Sequence, residues 1–494
     1  MLNDKEKSWR ERAERVVNRV YECFPRAEFN NWKLCEELIL SAISTSEQIS
    51  TFQIETVNAA CLLNHAGYYL FKTSKYKQAE HLYQQCLEIS KTILGKDHPD
   101  IATGLNNLAE LYYTQGKYKQ AEPLFIDSLR ISEAALGKNH PDVASSLSSL
   151  AEYYRTQGEY KKAESFNLRS LAIYEKTLDK SHFNIIYPLN NLASLYQDQG
   201  KYELAEPLLQ RSLAIQKATL AEDHPDIASS LNNLADFYQA IGDYKQAKTL
   251  FCCSLAIREV AFGKDHPEVA VSLHNLATLY RAKGEYEKAE PLSHRSLAIM
   301  ETTLGKDHPD FANSLNNLAE LYRDQHKDSK AEPLYQRSLV ILEAALGKNH
   351  PNVATTLNNL AVLYYDERKY TKAESLYLRS LTIQEAVLGK NCPSVANTLN
   401  NLAALYRDQG RYGESESFNL RSLAIKEKIL GRDNPDVAIS LNNLAGLYYI
   451  QGKYKQAEPL YKRSLSIMKK VLGDEHPNTR LVRNDLQKLQ SHLK

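Results

Sequence analysis

Apolar and polar residues alternate along most of the chain with the spacing of amphipathic helices. In the stretch from 99 to 140, Leu105, Leu108 and Tyr112 recur at intervals that place them on one helix face. Gly116 follows this pattern, and glycine is a typical residue just beyond a helix end. We therefore expect a helix A of about 16 residues and a following helix B of about 18. The short link between them makes the pair antiparallel.

The same stretch recurs along the chain with a constant period. The proline that opens helix A returns every 42 residues, except at one place that holds Phe183. Its positions are Pro99, Pro141, Pro225, Pro267, Pro309, Pro351, Pro393, Pro435 and Pro477. A constant period of this length is typical of stacked repeats, in which each unit contacts its neighbours.

The repeat predicts both the fold class and the domain organisation. We expect an all-α protein, a right-handed α-solenoid (superhelix) of ten antiparallel helix pairs with helical caps. Residues 57–476 hold the ten 42-residue repeats. Residues 1–56 form an N-terminal helical cap or linker, and residues 477–494 form a C-terminal capping helix, because terminal repeats need an atypical, polar outer face.

One junction departs from the repeat. Asp179 replaces the glycine that ends helix B elsewhere, Phe183 replaces the proline, and Pro188 lies inside the next helix A. A proline inside a helix removes a backbone donor and clashes with the preceding turn. We therefore predict an irregular junction at residues 179–189.

The turn before each helix A contains a second periodic feature. Asp97 stands where it can cap the helix that begins at Pro99. Histidines precede these prolines at positions 98, 140, 224, 266, 308, 350 and 476. The ligands of one metal ion lie within a few ångströms of it, whereas these side chains are a whole repeat apart. We interpret them as turn residues and expect no metal.

Composition excludes several classes of protein. Lys and Arg total 61 against 60 Asp and Glu, a balance that argues against nucleic acid binding over the whole surface. No apolar run approaches the length of a membrane span. The seven cysteines form no CxxC pair, which favours a reducing, cytoplasmic location. No phosphate-binding loop, HExxH or GxSxG motif is present, so we expect neither enzyme activity nor a cofactor.

The spacing resembles that of tetratricopeptide repeats. Leu105, Leu108, Tyr112, Gly116 and Tyr118 occupy signature places of that family. The 42-residue form, with Leu-Asn-Asn-Leu-Ala and Ala-Glu-Pro-Leu-Tyr, is similar to repeats of kinesin light chains, nephrocystin-like proteins and NB-ARC-associated proteins. The resemblance implies a non-catalytic protein–protein interaction scaffold. Such a scaffold binds an extended peptide or partner segment in a concave groove lined by the A helices.

The leading segment motivates an alternative function. The run Phe24-Pro25, Asn31-Trp32 and Cys35-Glu36 resembles the segment that joins a signalling NTPase module to C-terminal repeats in bacterial NB-ARC-type proteins. On this interpretation the array is the sensor or regulatory arm of an NB-ARC-type ATPase whose NTPase module is absent from this chain.

Asparagine pairs in the A helices are the first candidate binding residues. Asparagine is a poor residue inside a helix, so helix propensity does not explain the pairs. A side-chain amide both donates and accepts hydrogen bonds, which suits an extended peptide backbone. The second members of the pairs are Asn107, Asn191, Asn233, Asn275, Asn317, Asn359, Asn401 and Asn443. The alternative is that one amide of each pair bonds to the neighbouring repeat and only stiffens the stack.

Arginines near the ends of three A helices are the second set of candidates. Arg281, Arg323 and Arg407 lie at variable positions of the expected groove, with Asp324 and Asp408 beside two of them. Alternating charges suit a peptide of mixed charge. The alternative is that neighbouring Arg and Asp side chains pair with each other.

Overall fold

A computed structural model of the chain describes residues 4–25, 31–179 and 182–493. These residues form 23 α-helices and one short 3-10 helix at Phe183–Ile185, with no strand among them. The α-helices are α1 (Asp4–Cys23), α2 (Trp32–Phe52), α3 (Val57–Lys72), α4 (Tyr76–Leu94), α5 (Pro99–Thr114), α6 (Tyr118–Leu136), α7 (Pro141–Thr156), α8 (Tyr160–Thr177), α9 (Ile186–Asp198), α10 (Tyr202–Thr219), α11 (Pro225–Ala240), α12 (Tyr244–Phe262), α13 (Pro267–Ala282), α14 (Tyr286–Leu304), α15 (Pro309–Asp324), α16 (Asp328–Leu346), α17 (Pro351–Asp366), α18 (Tyr370–Leu388), α19 (Pro393–Asp408), α20 (Tyr412–Leu430), α21 (Pro435–Ile450), α22 (Tyr454–Leu472) and α23 (Pro477–Leu493).

The predicted all-α solenoid of helix pairs is confirmed. Odd-numbered helices from α3 to α21 are the A helices, and even-numbered helices from α4 to α22 are the B helices. The chain divides into two compact units. Unit 1 comprises Met1–Tyr153 with Ala172–Thr177, and unit 2 comprises Tyr154–Leu171 with Leu178–Lys494.

Small residues allow the two helices of a pair to approach closely. In the pair α15–α16, Ala319 and Ala331 are fully buried and share a core with Tyr335. In the pair α13–α14, the buried hydroxyl of Ser296 donates a hydrogen bond to the carbonyl of Ala270 over 2.8 Å. Burying an apolar side chain of leucine size contributes about 1.5–3 kcal/mol, so packing supplies most of the stability of each pair.

The A helices lie on the concave face of each unit. Successive A helices approach one another directly, as α13 and α15 do in unit 2 and α3 and α5 do in unit 1. Successive B helices approach less closely and are bridged by long side chains, such as Arg295 to Glu259 over 2.7 Å and Arg463 to Glu427 over 2.6 Å. Because successive A helices lie closer together than successive B helices, each unit curves toward its A helices.

Histidine, and not the preceding aspartate, caps most A helices. The expectation that Asp97 caps α5 is wrong, because His98 is the N-cap and its Nδ1 accepts a hydrogen bond from the Asp100 N–H over 3.2 Å. Proline forces the residue before it into an extended conformation, so the N-cap falls directly before Pro99. Asn434 takes this place before α21 and accepts the equivalent bond over 2.7 Å.

The irregular junction at residues 179–189 is confirmed where the structure describes it, since residues 180 and 181 lie outside the described residues. A 3-10 turn at Phe183–Ile185 replaces the start of the helix, and α9 is shortened to 13 residues. Pro188 is buried in the first turn of α9, where a backbone N–H has no partner within the helix. Proline is therefore tolerated there.

Helices at both ends of the chain extend the packing. In unit 1, α1 and α2 both contact α3. The side chain of Trp32, at the start of α2, lies outside the described residues. In unit 2, α23 packs on α22 through Leu486 and Leu489. That residues 1–56 and 477–494 act as caps stays a prediction.

Unit 2 makes a second kind of contact, between elements far apart in sequence. The turn after α9 meets the start of α21, where the Asn434 side chain donates to the carbonyl of Asp198 over 3.1 Å. A Cβ placed on Gly200, which has a φ of +68°, would lie 2.7 Å from the Cδ of Pro435. Gly200 is therefore required both by its backbone and by this close approach.

The histidine cap can be tested at His224, which accepts from the Asp226 N–H over 3.2 Å. We expect His224→Ala to lower the free energy of unfolding by about 1 kcal/mol, the usual contribution of an N-cap. His224→Asn should retain most of it, because Asn434 caps α21. Chemical denaturation measures both variants, and equal losses would contradict a capping role.

The contact at Gly200 can be separated from its backbone strain by a matched substitution. Gly452 has a φ of +69° and nothing within 4 Å of an added Cβ. We expect Gly200→Asn to lower the melting temperature clearly more than Gly452→Asn, because overpacking costs about 1–3 kcal/mol. Equal melting temperatures would show that the contact with Pro435 does not form in solution.

Candidate functional site

Polar side chains on the A helices form a continuous surface within each unit. We call it the A-helix surface and define it by the positions one, two, five and eight residues after the leucine equivalent to Leu105. In α15 these positions hold Asn316, Asn317, Glu320 and Arg323. Such intervals place the side chains on neighbouring parts of the same helix face. The surface contains all the residues predicted to bind a peptide.

Several of the predicted asparagines bond to the preceding repeat. The Asn401 amide donates to Oδ1 of Asn358 over 3.1 Å. Asn107 donates to Asn64 over 2.9 Å, so the second amide of one repeat reaches the first amide of the repeat before it. Asn317 lies 3.3 Å from the ring nitrogens of His274, which occupies the same place. These bonds connect repeats, as the stack-stiffening alternative requires.

Other predicted asparagines keep their amides free of such bonds. Among the described residues, the side chains of Asn233, Asn275 and Asn443 make no hydrogen bond, and all three are half-buried. Asn191 differs again, because its amide lies 3.5 Å from the buried Asn167 of α8. The eight candidate asparagines therefore divide into a group with intramolecular hydrogen bonds and a group without them among the described residues.

The three predicted arginines all pair with carboxylates of the protein. Arg281 contacts Glu320 over 2.5 Å. Arg323 donates to Asp324 over 2.8 Å, and Arg407 donates to its neighbour Asp408, also over 2.8 Å. The pairing alternative is thus observed for each of them. Their charges are largely neutralised before any ligand arrives.

Glu320 is a carboxylate of the surface with partners in both neighbouring repeats. Besides Arg281, it accepts hydrogen bonds from Asn316 over 3.1 Å and from Asn359 over 2.7 Å. Arg281 and Asn359 belong to the repeats before and after, each 39 residues away. Glu320, Arg281 and His274 also line a cavity of about 130 Å³. Burial lowers the pKa of His274, so its imidazole is neutral near pH 7.

Asp236 occupies the same position on α11 and has none of these partners. Within the described part of the chain its carboxylate makes neither an ion pair nor a hydrogen bond. Its side chain is exposed, but the surrounding concave face displaces much of the water. This desolvation raises the pKa of Asp236 to about 6. Sequence analysis did not identify the missing partner of Asp236, although the glutamine 39 residues earlier, where Glu320 has Arg281, is a readable signal.

Sequence analysis also missed a polar bond that recurs between repeats. The hydroxyl of Tyr406 in α19 donates to Glu374 in the preceding B helix over 2.8 Å. The guanidinium of Arg411 lies 4.0 Å from the centre of the Tyr406 ring and bonds to the same glutamate. Tyr364 and Glu332 repeat the bond at 2.7 Å, 32 residues apart. In the sequence, this bond is indicated by the glutamate of the Ala-Glu motif, which stands one repeat before each tyrosine.

The structure carries no sign of two other kinds of site. In the ranges that it describes, no group of three or more His, Cys, Asp and Glu side chains could hold a metal ion. No helix in those ranges is long and apolar enough to cross a membrane.

Stacked helix pairs with a polar concave face define a class of α-helical repeat proteins. The chain belongs to the tetratricopeptide repeat family. The family model matches nine segments, which overlap except between residues 176 and 185, at residues 58–134, 100–176, 185–260, 226–302, 268–344, 310–386, 352–428, 394–470 and 436–493.

One relative is similar over a short stretch. A nucleotide-binding leucine-rich repeat (NLR)-like protein of Hyaloscypha variabilis is 35% identical over 100 residues. The match covers 19% of this chain and only 10% of the length of that protein. The similarity therefore concerns a small part of both molecules.

Solved structures of the same fold are also similar. Nearly identical TPR-like repeats of the kinesin light chain type from Podosopora anserina show 31% identity, with a TM-score of 0.36 over 42% of this chain and 99% of that one. BtubC (BKLC) from P. vanneervenii shows 22% identity and a TM-score of 0.37, covering 50% and 92%. A Rap protein complexed with Competence and Sporulation Factor shows 15% identity and a TM-score of 0.49, covering 76% and 99%.

The raised pKa of Asp236 has a direct effect on stability. Its value of about 6 in the folded chain lies above the ordinary 3.8, so the folded chain binds a proton more tightly than the unfolded chain. At about pH 7.5 the desolvated charge therefore destabilises the fold. We expect Asp236→Asn to melt at a higher temperature than the natural chain at that pH.

This gain should shrink as pH falls through about 6 toward 3.8, where both side chains are neutral. Thermal melts of the two proteins across this range measure the difference. A constant difference at all pH values would mean that the substitution acts through packing and not through charge.

Proposed function

We propose that the chain is a non-catalytic protein–protein interaction scaffold whose A-helix surface binds an extended peptide of a partner protein. The observation that carries this proposal is the group of amides at Asn233, Asn275 and Asn443, which have no bond within the described protein. Comparable amides elsewhere on the surface do bond to their neighbours. The amide atoms of these three side chains are accessible to solvent, so a peptide can replace water as their hydrogen-bonding partner.

A peptide backbone matches the chemistry of this surface. Each peptide unit offers one donor and one acceptor, and so does each side-chain amide. The A helices are held in place by packing and by the bonds between repeats, so the surface is ordered before binding. A flexible peptide then loses only its own conformational freedom. The recognition depends on the backbone more than on charge, since the arginines are already paired.

The alternative function has one specific observation in its favour. The relative from Hyaloscypha variabilis is named as an NLR-like protein, and NLR names nucleotide binding. The segment from Phe24 to Glu36 resembles the linker that follows such NTPase modules. In this second proposal the repeats are the sensor arm of an NB-ARC-type ATPase, and the peptide is the signal that it detects. The A-helix surface would serve either role.

Two triple substitutions test the proposal against the stacking alternative. The first replaces the unbonded amides, as Asn233→Ala, Asn275→Ala and Asn443→Ala. The second replaces bonded amides, as Asn317→Ala, Asn359→Ala and Asn401→Ala. The probe is a degenerate pool of capped decapeptides, captured on the immobilised chain and quantified by mass spectrometry.

We expect the unbonded triple to reduce peptide capture at least about tenfold with little change in melting temperature, because each lost hydrogen bond contributes about 1 kcal/mol. The bonded triple should lower the melting temperature. Unchanged capture by the unbonded triple would reject the amides as the binding surface.

A further inference from the structure

Two A helices of unit 2 carry a carboxylate at the same surface position, but the protein satisfies only one of them. Glu320 on α15 contacts the guanidinium of Arg281 over 2.5 Å, 39 residues earlier. The residue 39 positions before Asp236 on α11 is Gln197, whose side chain makes no hydrogen bond among the described residues. The internal cation present at one carboxylate is therefore missing at the other.

The two amides that support Glu320 are also disengaged at Asp236. Asn359 donates to Glu320 from the following repeat, whereas its counterpart Asn275 makes no hydrogen bond. Asn316 donates to Glu320 from one turn earlier on the helix. Its counterpart Asn232 is only 5% exposed, and neither its amide nitrogen nor its buried Oδ1 makes a hydrogen bond within the described residues. The polar network around Asp236 therefore lacks all three of the donors that Glu320 has.

The exposed carboxylate of Asp236 and the half-buried amides of Gln197 and Asn275 bond to no protein group among the described residues, so they are open to a ligand from outside. Arg281 shows what fits at this position of the fold, namely a planar guanidinium, which here reaches the carboxylate from the neighbouring A helix. Arginine suits this place better than lysine, because its five N–H donors can reach a carboxylate and an amide together.

We propose that Asp236, flanked by Gln197 and Asn275, receives an arginine side chain of the partner peptide. The proposal rests on the proposed function and adds the chemistry that gives it specificity. The ligand arginine takes the place that Arg281 holds at Glu320. The remaining surface amides follow the peptide backbone on either side, and the arginine sets the register of the peptide on α11.

Electrostatics supports this assignment. Desolvation is the cause of the raised pKa of Asp236, and no neighbouring charge of the protein offsets it. The charged form is disfavoured in the free protein and becomes favourable when a cation arrives. Arg155, Arg281, Arg323 and Arg407 already contact carboxylates of the chain. The group that lacks a charged partner is therefore the carboxylate of Asp236, and we expect a ligand group with a positive charge.

The test compares two pools of capped decapeptides that differ at one central position, which holds either arginine or citrulline. Citrulline has nearly the same shape as arginine but no charge. Each pool is captured on the immobilised full-length chain and quantified by mass spectrometry. We expect the natural chain to capture the arginine pool at least about tenfold more, because arginine makes charge-assisted hydrogen bonds to a carboxylate that citrulline cannot make.

Three variants test which residues cause the preference for arginine peptides. Asp236→Asn removes the carboxylate and should abolish the preference for arginine. Gln197→Arg places an internal guanidinium 39 residues before Asp236, as Arg281 stands before Glu320. This variant should lose the preference for arginine while still binding both pools. Arg281→Gln uncovers Glu320 and should add a second arginine site, raising the number of arginine peptides bound per chain. Thermal melts of each variant confirm that it is folded.

The outcomes separate this inference from the proposed function. Equal capture of the two pools by the natural chain would overturn the arginine site and leave peptide binding in place. An arginine preference that survives both Asp236→Asn and Gln197→Arg would also overturn it, because the cation would then bind elsewhere. Capture of neither pool would overturn the proposed function and this inference with it.

Discussion

The structure depends on one constraint: a single helix pair cannot bury its apolar side without the next pair. Each 42-residue unit leaves one face uncovered, and only stacking covers it. The polar bonds follow from this packing. The tyrosine–glutamate bond of Tyr406 and Glu374 and the amide bond of Asn401 and Asn358 each cross from one repeat to the next. A polar residue that recurs in every repeat is therefore explained first by contacts between repeats, and only then by ligand binding.

This constraint changes how the concave surface is interpreted. A side chain that recurs in every repeat is the most visible feature of the sequence, but it is also the one that its neighbours are arranged to satisfy. On the proposed function, the binding positions are those where the repeat continues and the internal partner is missing. Asn275 keeps the amide of the pattern, but its side chain makes no hydrogen bond within the described residues. Asp236 is one methylene shorter than Glu320, which contributes to the same gap.

The sequence predicted the helix pairs well, because apolar periodicity and the repeated proline act within a few residues of each other. The N-cap was placed one residue too early, at Asp97, since histidine is an unusual cap and proline determines the cap position through backbone sterics. The amide bonds could not be predicted, because the alignment of Asn107 with Asn64 depends on the angle between successive repeats. The contact of Gly200 with Pro435 depends on that angle accumulated over several repeats.

The same geometry provides a rule for reading charges in this chain. A carboxylate five residues after the packing leucine is neutralised when an arginine stands 39 residues earlier, as Arg281 does for Glu320. The partners of Glu320 come only from its own repeat and the two beside it, so the effect of leaving such a carboxylate without partners is confined to those repeats. The fold can therefore tolerate an unsatisfied group on α11 while the rest of unit 2 remains fully packed. A repeat array can in this way acquire specificity for a ligand by losing one internal ion pair, without any change in its core.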